Sequence, residues 1–159
     1  MSVYEQAERL VGEKRLWKHL GLYPPYLGAG VRVVEVGDDL RSITVELRLR
    51  PWNRNYVGTQ FGGSLYSMCD PFFMLMLLKA LGPDYIVWDK SASIDFLKPG
   101  RGAVRAAMRI GDDRLDEIRR EVDQSGKALP VFEADIVGAD GQAVARVRKV
   151  LHVRKKKGR

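Results

Sequence analysis

Along this chain apolar and polar residues alternate more often than they recur at helical spacing, so most of the predicted elements are strands. Residues 42–50 are the plainest case: Ile43, Val45, Leu47 and Leu49 fall on one side, and Ser42, Thr44, Glu46, Arg48 and Arg50 on the other. A period of two places successive side chains on opposite faces, which predicts a half-buried antiparallel strand. Residues 31–36 form its hairpin partner across Gly37-Asp38-Asp39. Residues 85–97 read as a further strand, with Ala92, Ile94 and Phe96 opposite Ser91, Ser93 and Asp95, and residues 103–110 as another, with Val104, Ala106, Met108 and Ile110 inward. Residues 130–137 and 143–154 close a hairpin around Ala139-Asp140-Gly141. In its second arm Ala143, Ala145, Val147, Leu151 and Val153 share the apolar face.

Three segments carry the helical period. Residues 4–20 place Ala7, Leu10, Val11, Trp17 and Leu20 on one stripe, with Gly21 as a stop and Pro24-Pro25 against resumption. Residues 113–124 carry a narrow stripe of Leu115, Ile118 and Val122, with Gly126 as the C-terminal stop. Residues 64–80 differ. Leu65, Met68, Phe72 and Leu75 make one stripe, and Tyr66, Cys69, Phe73, Met76 and Ala80 another. A helix that is apolar nearly all round is buried. Six one-faced strands and one buried helix predict an α+β domain whose curved sheet wraps that helix, its outer face meeting solvent or another subunit. The expected boundaries are 1–29 for an N-terminal helix and connector, 30–154 for the main domain and 155–159 for a basic tail.

Composition narrows the classes. At 159 residues, 45% hydrophobic and 30% charged, the chain has the balance of one globular domain. Its first residues lack the apolar core of a signal peptide, and residues 65–78, broken at Asp70-Pro71, are short for a bilayer span, which takes about 20 residues. A cytoplasmic setting is expected. A single cysteine, Cys69, excludes an internal disulfide and argues against a cysteine zinc site, while His19 and His152 have no metal or triad spacing. No metal and no redox cofactor is expected. The net charge of +7 is concentrated at the C-terminus, where residues 146–159 hold eight Lys/Arg and no acid. That pattern suits a solvated strand face and tail, or an anionic partner such as cofactor phosphates or nucleic acid. The tail RKKKGR has no aromatic residue for base stacking, and no nucleic-acid motif accompanies it.

The segment richest in chemistry is NYVGTQFGGSLYSMCDP, residues 55–71. Gly62-Gly63 precede the buried helix, where the first amides lack internal partners and face outward at the positive end of the dipole. Such a place favours a carbonyl oxygen becoming an oxyanion; the plainer reading is a tight turn into the helix. Asp70 is a carboxylate in the most apolar helix, and burial without partners is costly. Pro71 removes one helical donor and leaves the Ser67 carbonyl short of its own. Asp70 could therefore belong to a functional site, or it could cap a second helix that begins at Pro71. At about 1.5 Å rise per residue, Gly63 and Asp70 lie roughly 10 Å apart on one helix face. Reacting atoms must approach to about 3–3.5 Å, so joint action on one carbonyl requires two copies of the helix. Cys69 has no neighbouring His or Arg to activate it and reads as a buried structural residue.

These residues resemble a known family. Asn55, Gly58, Phe61-Gly62-Gly63 and Asp70 match the spacing of hotdog-fold acyl-CoA thioesterases of the phenylacetic-acid-degradation type, and SIDFLKPGRG, residues 93–102, resembles the strand and Phe-Leu-x-Pro turn of that family. The likeness spans roughly residues 30–154, closest to a little-characterised branch. It implies a sheet of about six strands around a long central helix, and a thioester hydrolase with no cofactor beyond the coenzyme A of its substrate. It implies dimers, often paired into tetramers, with active sites between subunits. By this resemblance Asp70 is the nucleophile or general base, the Gly63 amide polarises the carbonyl, and Asn55 lies near the reacting centre. Gly62, Phe61, Tyr66, Phe73 and Met76 would border substrate, and Lys98, Arg101 and the basic C-terminal strand would meet the coenzyme A phosphates. Phe61 stands where the family has His, which leaves open a non-catalytic acyl-CoA binding or sensing protein. A hotdog dehydratase needs a catalytic His in this region, and neither histidine matches.

Overall fold

The computed structural model describes residues 12–156. Helix α1 (Glu13–Lys18) continues as a 3-10 turn (His19–Leu22), followed by α2 (Pro24–Ala29) and the hairpin β1 (Val31–Val36) and β2 (Ser42–Arg48). Helices α3 (Gly62–Ser67) and α4 (Phe72–Leu81) form the central rod, and β3 (Tyr85–Phe96), β4 (Ala103–Arg109), α5 (Asp112–Ser125), β5 (Val131–Gly138) and β6 (Ala143–Lys155) complete the chain. The strands make one antiparallel sheet in the order β1-β2-β4-β5-β6-β3. This is the expected α+β hotdog arrangement. Ile43, Val45 and Leu47 of β2, Val104, Ala106 and Met108 of β4, Ala134 and Ile136 of β5 and Val147 and Leu151 of β6 are buried in one core with Met68, Phe72, Met76 and Leu77 of the rod.

Several local expectations are corrected. The N-terminal stripe residues Ala7, Leu10 and Val11 lie outside the described residues. Trp17 is buried and Leu20 packs on the core, but the α-helical part ends at Lys18 and Gly21 sits inside the 3-10 turn. Pro24 and Pro25 start a helix instead of preventing one, because a first-turn proline loses no intrahelical donor. The rod is not one helix over 64–80. It begins at Gly62 and breaks at residues 68–71, where the amides of Cys69 and Asp70 reach back three residues to Tyr66 and Ser67. Counted from Gly62 to Leu81 the rod has the length and apolarity of a membrane span, yet half of it is buried in the domain as its core helix.

The outer half of β3 keeps its alternation but loses its cover. Asp89 pairs with Leu151 and Ser91 with Val150, so Lys90 forms a bulge that shifts the phase. Ala92 and Phe96, expected on an apolar inner face, are exposed, because β3 is the last strand of the sheet and little covers its distal end.

Candidate active site

The break in the rod places Asp70. Pro71 offers no amide, so the Ser67 carbonyl takes the Asp70 amide at 3.3 Å and the Tyr26 hydroxyl at 3.1 Å, which supplies the missing donor. Burial, and then the charge of Asp70, push the Tyr26 hydroxyl well above the ordinary tyrosine range, so it remains a donor. Backbone dihedrals stay right-handed through Met68 and Pro71, and the chain resumes as α4 without any side-chain cap. The Asp70 carboxylate is thus not used as a cap. Its Oδ1 accepts from the Tyr66 hydroxyl at 2.5 Å, one helical turn back, and from Lys149 Nζ at 2.7 Å.

Lys149 comes from the inner face of β6, in a row otherwise filled by Ala145, Val147, Leu151 and Val153. Its side chain is 0% exposed, while those of its two carboxylate partners, Asp70 and Asp89, are 45% and 32% exposed. Nζ lies 3.1 Å from Asp89 Oδ2 and 3.3 Å from the Tyr66 hydroxyl oxygen. An ammonium carries three donors, so all three have an acceptor here. Burial alone would lower the Lys149 pKa, but hydrogen bonds to Asp70 and Asp89, and then their charges, carry it above the ordinary lysine value. Asp89 moves the opposite way from most paired carboxylates: burial raises its pKa, Lys149 offsets only part, and the charge of Asp70 adds to the rise. Asp89 Oδ1 is buried with no partner among the described residues. Tyr66 is also raised, first by burial and then by its bond to Asp70.

The remaining candidates separate. The Ser64 and Leu65 amides donate to the Phe61 carbonyl, which leaves the Gly62 and Gly63 amides, at the start of α3, without a partner among the described residues. Neither glycine has a positive φ. Aromatic rings lie against both: an added Cβ would fall 2.8 Å from Phe96 at Gly62 and 2.5 Å from Phe61 at Gly63, so a side chain at either would have to displace a ring. Phe61 is 55% exposed, so its ring stands over the amide end of the helix. Asn55 organises the loop before it. Its Nδ2 donates to Thr59 Oγ1 and the Gln60 carbonyl, and its Oδ1 accepts from the Thr59 amide, so its amide group is occupied by the loop. Phe73 is a core residue, 1% exposed and stacked on Phe132 at 4.8 Å. Met76 is likewise fully buried. Lys98 is paired with Asp140 at 2.7 Å and Gln142 at 2.9 Å, whereas Arg101 is exposed in the turn before β4. Cys69 is buried, and burial pushes its thiol up to about 12, which removes it as a nucleophile. No group of His, Cys, Asp and Glu suited to a metal occurs among the described residues.

Sequence reasoning missed Lys149, Asp89 and Tyr26. The signal for Lys149 was present, since it occupies the one charged position in a period-two row of core residues. It was instead counted with the solvated basic C-terminus, which its complete burial contradicts. Asp89 was hidden by the bulge, and Tyr26 by the distance in sequence between it and Ser67.

Comparison with known proteins agrees with this fold. A family model described as a domain of unknown function, DUF4442, matches residues 12–153. No curated protein matches significantly. Among solved structures, the probable thioesterase PA5026 of Pseudomonas aeruginosa is 19% identical with a TM-score of 0.77, covering 91% of this chain and 97% of that one. The thioesterase HI1161 of Haemophilus influenzae is 15% identical, with a TM-score of 0.65 and coverage of 90% and 91%. The phenylacetic acid degradation protein PaaI of Thermus thermophilus is 22% identical, with a TM-score of 0.56 and coverage of 81% and 97%. At these identities the likeness is one of fold, and that fold is the hotdog.

Proposed function

The chain belongs to the DUF4442 domain family, and from that premise we propose that it hydrolyses the thioester of an acyl-CoA or a related acyl carrier. The observation that carries this reading is the state of Asp70. One carboxylate oxygen is pinned by Tyr66 and Lys149, and the half-exposed side chain leaves Oδ2 open. In the proposed reaction Oδ2 takes a proton from water while the water oxygen bonds to the thioester carbon. The carbonyl oxygen gains the negative charge and is met by the Gly63 amide. Collapse breaks the carbon–sulfur bond, and the thiolate leaves with the proton held by Asp70, giving a carboxylic acid and a thiol. Coenzyme A enters only as part of the substrate, and the steps use no metal or redox cofactor.

The Gly63 amide and Asp70 are proposed to come from different copies of the chain, in a homodimer that can pair again into a tetramer. Support comes from the free edge of β3, where Phe96, whose ring reaches Gly62, and Leu97 are exposed. The acyl group would lie along Phe61, Gly62 and Tyr66, and Arg101, with Lys98 released from Asp140, would meet the phosphates. A cytoplasmic setting belongs to the same proposal.

One observation favours a second reading. The Phe61 ring over Gly63 is apolar where the family pattern has a polar His, which suits an acyl-CoA binding protein without turnover. Hydrolysis of an acyl-CoA panel by wild type and Asp70→Asn separates the two. Turnover that collapses in the variant supports the hydrolase. Tight binding without turnover, unchanged by the substitution, supports the binding protein.

A further inference from the structure

We infer that Lys149 is the positioning residue of the site, held between Asp70 and Asp89 so that Asp70 presents only Oδ2 to a substrate. The inference rests on the hydrolase reading. It starts from a position where charge is unexpected. Ala145, Val147, Leu151 and Val153 show that this row of β6 is a core row. A well-packed apolar side chain there would stabilise the fold at least as well, because removing a buried charge from water offsets much of what its pairing contributes. Stability alone therefore does not account for the ammonium.

Geometry supplies the reason. The donors of Lys149 go to Asp70 Oδ1, Asp89 Oδ2 and the Tyr66 oxygen, and Tyr66 donates in turn to Asp70 Oδ1. Lys149, Tyr66 and Asp70 Oδ1 thus form a closed ring, with Asp89 fixing the lysine from the far side. With no exposed surface and no donor to spare, Lys149 does not touch substrate and acts through Asp70. Two donors on one oxygen leave the carboxylate little freedom to rotate, which is the preorganisation that a general base on a broken helix would otherwise lack. Asp89 cannot take over the base role from this place, since its Oδ2 faces the lysine and its Oδ1 is buried.

The test uses the full-length protein and an acyl-CoA that wild type turns over. Lys149→Met keeps most of the volume and removes all three donors. The expected result is a fall in kcat of about 10–100-fold with little change in KM, the signature of a misplaced base instead of a damaged binding site. Lys149→Ala leaves a cavity the size of the lost chain, and added ethylammonium is expected to restore part of kcat there but none in Asp70→Asn. A folded Lys149→Met with wild-type kcat overturns the inference, as does a loss confined to KM. If Lys149→Met does not fold, Asp89→Asn decides. It keeps the lysine and weakens its second anchor, so a several-fold lower kcat at unchanged KM supports the inference and an unchanged kcat overturns it. Wild-type protein that hydrolyses no acyl thioester is a different outcome: the hydrolase reading fails, and the inference falls with it.

Discussion

Two ion clusters in this fold are mirror images in charge, and their difference separates structural from chemical roles. On β2, Glu46 is a carboxylate held between two arginines, with Oε1 bound by Arg48 and Oε2 by Arg105 Nε at 2.9 Å. It lies on the sheet face opposite Ile43, Val45 and Leu47. On β6, Lys149 is an ammonium held between two carboxylates, on the face that carries the rod. Both central groups are buried, Glu46 at 2% and Lys149 at 0%. The contrast lies in what is left over. Both Glu46 oxygens are satisfied by arginines that are half-exposed or more, so the carboxylate has no acceptor left to offer. The Lys149 cluster leaves Asp70 Oδ2 without a partner among the described residues, in a side chain 45% open to solvent. A saturated cluster stabilises, and one with residual valence at an exposed atom can do chemistry.

The largest test of that contrast is to neutralise one carboxylate in each cluster. Asp70→Asn retains an acceptor for Lys149 and Tyr66 but no base, and is expected to lower kcat by roughly 10²–10⁴-fold with a nearly unchanged fold. Glu46→Gln is expected to leave kcat unchanged and to cost about 1.5–3 kcal/mol in urea unfolding, the range for a hydrogen bond to a charged group. Equal effects of the two substitutions on activity would erase the distinction.

A subtler break uses pH, because Glu46 and Asp89 are shifted in opposite directions. Burial pushes Glu46 up, but its bonds from Arg105 and Arg48, and then their charges, hold it below the ordinary glutamate value. Its contribution to stability is full above the unfolded value near about 4.3 and is lost as pH falls through the lower folded value. Asp89 is raised, so the folded state binds its proton first. Its contribution is full below the unfolded value near about 3.9 and is lost as pH rises through the folded value. Over a urea series from about pH 7 to about pH 3, the destabilisation caused by Glu46→Gln is expected to shrink, and that caused by Asp89→Asn to grow. Slopes of the same sign would contradict the assignment of burial as the dominant influence on Asp89.

The same two clusters show what the chain reveals without coordinates. The strands were legible because their inner rows are apolar at period two: residues 31–36 match β1, and residues 42–50 and 113–124 locate β2 and α5 to within a residue or two. Asp70 was legible as a carboxylate in an apolar helix. Its partners were not, because each breaks the pattern that would have found it. Lys149 interrupts an otherwise apolar row, and reading that row as apolar means passing over the charge. Asp89 and Ala92 share the inner face although their numbers differ by three, because the Lys90 bulge changes parity between them. The helix break was foreseeable from Pro71, but not that Tyr26, 41 residues upstream of Ser67, would complete its hydrogen bonding. Asn55 and the paired glycines matched a spacing, yet the spacing did not disclose that a loop occupies the amide of Asn55 and that rings of Phe61 and Phe96 lie against the glycines.

The finest distinction concerns the two donors on Asp70 Oδ1. Tyr66 and Lys149 both reach it, but they are not equivalent. The tyrosine is a neutral donor from the same helical segment, one turn away, while the lysine is charged, buried and tied to β3 through Asp89. Tyr66→Phe removes one donor and leaves the lysine in place with one acceptor fewer. The bond ends on a carboxylate, and a hydrogen bond to a charged group contributes about 1.5–3 kcal/mol net; on a half-exposed carboxylate the low end applies, so the expected effect is a loss of about 1.5 kcal/mol in unfolding free energy and a fall in kcat of about tenfold. Combined with Lys149→Met, the loss of kcat is expected to be less than the product of the two separate losses, because each donor fixes the same oxygen. Fully multiplicative losses would mean that the Tyr66 hydroxyl acts on the thioester carbonyl itself, which would move it from support of Asp70 to the reacting centre.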